Sequence, residues 1–129
     1  MVTINPLPLA DAGPDNEICL GDTIELGGNP TGSITSTFSW NPGTSLSAVD
    51  IQNPLAYPLS TTSYNLSVSD LNGCINYDTI EIIVNPLPTI TASANVDSIC
   101  VETNVQLNAI GGISYGWEPA QWLDDPSIA

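Results

Sequence analysis

Three cysteines, fourteen carboxylates and no basic side chain define the chemistry open to this chain. Cys19, Cys74 and Cys100 form no C-x-x-C clamp and have no histidine to complete a zinc set. Disulfide formation, not metal ligation, is the chemistry they suit. Among the acids, Asp11 and Asp15 lie near the start, and Asp70 and Asn72 in a turn-like segment further on. Brought to one pole of the molecule, these hard oxygen donors would suit Ca²⁺, although no D-x-D-x-D-G loop is present. Catalysis has little to stand on. There is no His or Lys to act as a base, no G-x-S-x-G nucleophile and no glycine-rich phosphate loop. Nothing sets two acids across a glycosidic bond. The chain is expected not to be an enzyme and to need no cofactor, calcium apart.

The charge narrows the partners. A net charge of −14 with no Lys or Arg leaves nothing to neutralise a phosphate, so nucleic acid is excluded as a ligand. Anionic membrane surfaces are disfavoured in the same way. No stretch has the ~18 apolar residues of a membrane span, so no direct insertion is expected. Met1 leads straight into a strand-like segment, with no leader legible before it. Low charge density, abundant Thr, Ser, Asn, Gly and Pro, and recurring cysteines point outside the cell. A chain without Lys or Arg also offers trypsin-like proteases no cleavage site.

The elements that must position these residues are strands. Short β-branched runs alternate with period two between Gly, Pro, Asn and Asp, and helix signals are nearly absent. Residues 22–28 put Ile24 and Leu26 on one face, and residues 37–41 carry Trp40. Residues 63–70 alternate cleanly, with Tyr64, Leu66 and Val68 inward. Asn72-Gly73 turns the chain, and residues 75–84 return as the partner strand. Pro42, Pro54 and Pro58 confine the segments between to edges and loops. About seven such strands fit a two-sheet sandwich, with Trp40 on the third and Tyr64 opening the sixth.

The pattern then starts again. Asn85-Pro86-Leu87-Pro88 restates Asn5-Pro6-Leu7-Pro8 at an offset of 80, and residues 100–107 restate residues 19–26 at 81. Trp117-Glu118-Pro119 restates Trp40-Asn41-Pro42 at 77, which makes Trp117 a second core tryptophan. A fixed period marks a tandem array of structural units. Residues 1–8 are expected to be the last strand and linker of a preceding repeat, residues 9–88 a complete repeat, and residues 89–129 the first half of another. Val105, Leu107, Tyr115 and Trp117 would then line one side of a core with nothing facing them. Such a face calls for completion, by more of the same chain or by strands of another. Two prolines in each Asn-Pro-Leu-Pro link favour extended, stiff geometry.

Two disulfide arrangements stay open. Cys19 to Cys74 is the pairing within one repeat. In ordinary sandwich topology, however, those positions lie at opposite ends of a strand of about 7 residues, ~23 Å, and a disulfide tolerates less than ~7 Å between Cα atoms. The alternative joins Cys19 to the turn cysteine of the following repeat and Cys74 to the preceding one. Cys100 has no partner within the chain in either case.

Ala10-Asp-Ala-Gly-Pro-Asp15, Ile18-Cys-Leu-Gly-Asp22, Phe38-Ser-Trp40, Asn53-Pro54, Thr62-Ser-Tyr64, Val68-Ser-Asp70 and Asn72-Gly-Cys74 resemble the PKD-like and Ig-like repeats of very large surface adhesins. Those adhesins are exported by the type IX secretion route of gliding bacteria. Asn41-Pro-Gly-Thr44 stands where the strict PKD pattern has Gly-Asp-Gly, which favours the broader group. The resemblance implies an all-β, Ig-like/PKD-like β-sandwich fold in tandem, one repeat complete and one partial. It further implies an extracellular, cell-surface structural repeat of an adhesin or filament. Its partners would be neighbouring repeats, surface glycans or other cells. Asp22-Thr23-Ile24, Asp78-Thr79-Ile80 and Asp97-Ser98-Ile99 resemble the O-glycosylation motif of the same bacteria, which would place sugars on Thr23, Thr79 and Ser98. The expected role is a stiff spacer in adhesion or gliding. The alternative is a glycan-binding module, in which Trp122 and loop acids meet the sugar.

Overall fold

The computed structural model describes residues 1–129, and the chain divides into two compact units, Met1–Pro86 and Leu87–Ala129. The first unit has six strands: β1 Asn16–Cys19, β2 Ile24–Glu25, β3 Thr37–Asn41, β4 Leu55–Ala56, β5 Thr62–Ser69 and β6 Ile75–Asn85. Four of them form one sheet in the order β1-β6-β5-β3, and β2 pairs with β4 in another, extended by a bridge from Leu46 to Ala56. All pairings are antiparallel except β1 with β6, which run parallel.

Alternation places the core between these layers. Tyr64, Leu66 and Val68 on β5 have no exposure, and Phe38 and Trp40 on β3 stand opposite Val68 and Leu66. Ile80 and Ile82 on β6 complete that side, while Leu26, Leu46 and Ala56 close it from the other layer. Burying each large aliphatic side chain stabilises the fold by about 1.5–3 kcal/mol. Pro54 and Pro58, expected only as punctuation, are fully buried and flank β4. Ile24 sits at the rim, packed against the core without belonging to it. Tyr64 falls on the fifth strand, because the segments expected as further strands around Pro42 to Pro58 make only β4 and one bridge.

The first half of β6 has a polar inward face, for a local reason. Asp78 Oδ2 accepts the N–H of Ala12 at 2.7 Å, and Asn76 Nδ2 donates to the Pro8 carbonyl at 2.9 Å. Further along, Asp15 Oδ1 accepts the N–H of Glu81 at 2.8 Å. Side chains thus hold the incoming segment until Asn16, where the parallel ladder begins. The β5–β6 turn spans Asp70 to Cys74: Gly73 donates to the Asp70 carbonyl, and Asp70 N–H to that of Cys74. Gly73 has φ 80°, so the expected Asn-Gly hairpin is a three-residue turn closed by a left-handed glycine.

In the second unit, β7 Thr91–Ala94 pairs antiparallel with β8 Leu107–Ile110. A single turn of 3-10 helix covers Ala120–Trp122. Ala109 is its one buried apolar residue.

Candidate functional site

The cysteines mark opposite poles of the first unit. Cys19 ends β1 and stands opposite Asn85, the last residue of β6. Cys74 lies just before the other end of that strand, where its N–H donates to Asp70 Oδ1 at 2.9 Å. Eleven residues of β6 separate the two positions, about 36 Å of extended chain. All three cysteines are free, with Cys19 and Cys100 exposed and Cys74 half-buried. A bond from Cys19 to Cys74 within the unit is therefore ruled out, because no disulfide spans more than ~7 Å between Cα atoms.

The four proposed calcium ligands do not converge. Asp11 accepts the N–H of Gly13, Asp15 that of Glu81, and Asp70 those of Asn72 and Cys74. Asp15 is held beside Glu81 and Asp70 beside Cys74, about seven residues apart along β6, or ~23 Å. No group of three or more acidic, Cys or His side chains is assembled to hold a metal. Backbone N–H groups take one oxygen of each of the three carboxylates. These bonds, with the Cys74 N–H first among them, hold the Asp70 carboxyl below the usual carboxylate range.

One polar constellation escaped the sequence reading. Asn53 Nδ2 donates to the Leu26 carbonyl and to Thr31 Oγ1, each at 3.0 Å, and Thr31 Oγ1 donates to the Gly28 carbonyl at 3.1 Å. Thr31 is completely buried. Gly27 has φ 104°, and a Cβ there would run into both Thr31 Oγ1 and Asn53 Nδ2. The network ties the segment after β2 to the one before β4 and satisfies backbone groups that those short strands leave open. The Tyr64 hydroxyl is the exception, buried without a partner. Burial, helped by Tyr57, pushes its pKa up.

The chain resembles a solved PKD domain, the "Solution structure of the PKD domain from KIAA 1837 protein", with a TM-score of 0.52 at 22% identity. The match covers 66% of this chain and 93% of that one. The fold is PKD-like. No family model matches the chain, and no curated protein is similar to it.

Within this PKD-like sandwich, Trp40 is locked at both ends. Its N–H donates to the Val49 carbonyl at 2.8 Å and its Nε1 to the Ile51 carbonyl at 3.0 Å. In the second unit, Trp117 donates in the same way to Pro126 at 2.9 Å and through Nε1 to Ile128 at 2.7 Å. Every residue of the second set lies 77 positions after its counterpart. Backbone pairing recurs as well. Gly28 donates to the Asp11 carbonyl, and Ala109 pairs with Ala92, both 81 positions on.

Trp117 is only half-buried, as are Val105, Leu107 and Tyr115, because no β5–β6 hairpin covers them. Trp117 thus lines one side of a core that nothing in residues 89–129 faces. An open groove of about 1090 Å³ lies over this face, bordered by Ile99, Leu107, Trp117, Trp122 and Leu123. Trp122 is 83% exposed at its rim. Of the glycosylation candidates, Thr23, Thr79 and Ser98 are all exposed. Thr79 hydrogen-bonds Asn65 Oδ1 across the strands at 2.9 Å, and its neighbour Asp78 is the acceptor for Ala12. Asp78 therefore has a structural task of its own.

Proposed function

We propose that this chain is a stretch of an extracellular tandem array of PKD-like sandwiches, acting as a stiff spacer or display stalk in a surface adhesin or filament used in adhesion or gliding. Residues 9–88 are one complete repeat on this reading, and residues 89–129 the first half of the next. One observation carries it. The chain enters the first unit beside Asn76, at the start of β6, and leaves it at Asn85, at the far end of the same strand. Entry and exit are thus about nine residues apart along one strand, ~30 Å. Units joined this way by proline-bearing links add their length to one another. The charge of −14 keeps such an array soluble and self-repelling.

Small-angle scattering on arrays of two, four and six repeats tests the reading. The maximum dimension is expected to grow by ~30 Å or more per repeat. Growth with the cube root of mass, as in a collapsed globule, refutes it.

Glycan recognition is the second reading, favoured by the 83% exposure of Trp122 beside the open groove. Leu107 and Trp117 in that groove are counterparts of Leu26 and Trp40, which are core in the first unit. That equivalence makes the groove an unfinished interior and favours the spacer. Binding on a glycan array by a complete repeat would reverse the preference. The chain is read as non-catalytic, and O-glycosylation of Thr23, Thr79 and Ser98 is kept as a proposal that intact mass on native material decides.

A further inference from the structure

Of the twelve asparagines in the chain, Asn72 alone is followed by glycine. Five others, Asn5, Asn29, Asn41, Asn53 and Asn85, precede proline, whose nitrogen carries no hydrogen. The other six precede residues with a side chain. The difference is chemical. An asparagine Cγ lies within reach of the next backbone nitrogen, and closing a succinimide ring between them is hindered by a Cβ on the following residue. Gly73 has none.

The β5–β6 turn presents this pair to water. Leu71, Asn72 and Gly73 are exposed, and a Cβ built on Gly73 would find no atom within 4 Å. The reacting groups are also the most loosely held in the turn. Asn72 Nδ2 donates to Asp70 Oδ2 at 3.3 Å, and the Gly73 N–H to the Asp70 carbonyl at 3.1 Å, both longer than the usual ~2.9–3.0 Å. The shorter bonds of Asp70, at 2.9 Å, go to the N–H groups of Asn72 and Cys74. The carboxylate thus clamps the turn around the pair without locking the pair itself.

We propose that Asn72 is a site of spontaneous modification, converting through a succinimide with Gly73 to aspartate and isoaspartate, and that the conversion loosens the β5–β6 turn as the protein ages. The Gly73 nitrogen gives its proton to solvent base and bonds to Asn72 Cγ. The Cγ–Nδ2 bond breaks, and ammonia leaves after taking up a proton. Water then opens the ring at either carbonyl, so one water enters for each ammonia lost and nothing is oxidised or reduced. Either product sets a new carboxylate beside Asp70, in a chain with no Lys, Arg or His to neutralise it. Isoaspartate also routes the main chain through Cβ. The longer path between Asp70 and Cys74 no longer lets one carboxylate oxygen accept both N–H groups at 2.9 Å. The site belongs to this turn and does not depend on the spacer reading.

The core of the first unit is closed by residues between Ala12 and Ile82, so the unit folds by itself, and residues 1–86 serve as the test protein. It is kept folded in warm, mildly alkaline buffer and sampled over time. Cleavage after glutamate isolates Asn72 in residues 26–81, where fragmentation spectra locate the loss of amide. An isoaspartyl methyltransferase labels the isoaspartate. Acid should accumulate at position 72 ahead of every other asparagine, more slowly at lower pH, and Asn72→Gln should remove the label. In the aged protein, amide exchange at Cys74 should quicken, and Asp70 should titrate higher by NMR because a like charge now faces it. An Asn72 amide that stays intact in the folded protein, under conditions that convert a peptide of residues 69–76, overturns the site. Conversion that leaves Cys74 exchange unchanged overturns the loosening.

Discussion

Asn53 should be worth far more to this fold than a half-buried loop asparagine usually is. Its amide nitrogen supplies the Leu26 carbonyl and the buried Thr31 hydroxyl, and Asn53→Ala removes both donations without opening either acceptor to solvent. A buried group left without its partner costs about 1–3 kcal/mol. In a unit of this size each kcal/mol moves the melting point by about 4–8 °C, so a fall of ~5–20 °C is expected. Urea unfolding of residues 1–86 measures the free energy, and a double-mutant cycle with Thr31→Val isolates the shared bond. Asn53→Asp is a second probe. It replaces a donor by an acceptor facing two oxygens, which raises the carboxyl's folded pKa, so its deficit relative to wild type should shrink as pH falls and the acid regains a proton to donate. If Asn53→Ala stays within about 0.5 kcal/mol of wild type, or shows no coupling to Thr31, the network has been misread.

Other expectations follow from the same geometry. A methyl added at Gly28 would meet the Asp11 carboxyl, whereas the equivalent pair in the second unit is Ala109 with Ala92. Gly28→Ala alone should cost ~1–3 kcal/mol by overpacking. Adding Asp11→Ala should recover part of that loss in chemical unfolding, and strictly additive losses would contradict the equivalence. Tyr64→Phe removes a buried hydroxyl without a partner, so thermal unfolding should show no loss and a gain of up to ~1 kcal/mol; a clear loss would mean that the hydroxyl is satisfied. Asp70 has a lowered pKa, so its contribution is complete above the ordinary carboxyl range near ~3.9 and drains as pH falls through the folded value. Its carboxyl should titrate below the chain's solvated acids by NMR, and Asp70→Asn should flatten the acid limb of the stability curve.

Much of the first unit was legible because its longest strands are wet on one face. Period-two alternation in residues 63–70 and 75–84 located β5 and β6, and Trp40 and Tyr64 went to the core where expected. Residues 22–28 alternate as expected but only Ile24–Glu25 of them pair as β2, and the two-residue β4 was beyond that signal, since alternation has no meaning over two positions. Asn53 and Asp78 were missed as structural residues for another reason. Each serves backbone that is distant in sequence (Leu26 for one, Ala12 for the other), and only topology brings them together. The calcium set failed in the converse way. Asp11, Asp15, Asp70 and Asn72 share a donor type, but the fold holds Asp15 beside Glu81 and Asp70 beside Cys74, towards opposite ends of β6. Trp117 was correctly matched to Trp40 in its hydrogen bonds, yet enclosure depends on a hairpin that residues 89–129 do not contain.

The parallel pairing of β1 with β6 has a mechanical meaning. A pull on the chain ahead of Pro8, opposed by one beyond Asn85, draws two neighbouring parallel strands along their own axes in opposite directions. The rungs from Asn16–Ile82 to Cys19–Asn85 then bear the load together in shear, instead of tearing one after another as in a hairpin peeled from its end. Force applied across the unit in this way would have to break that whole patch at once before the unit gave up its length.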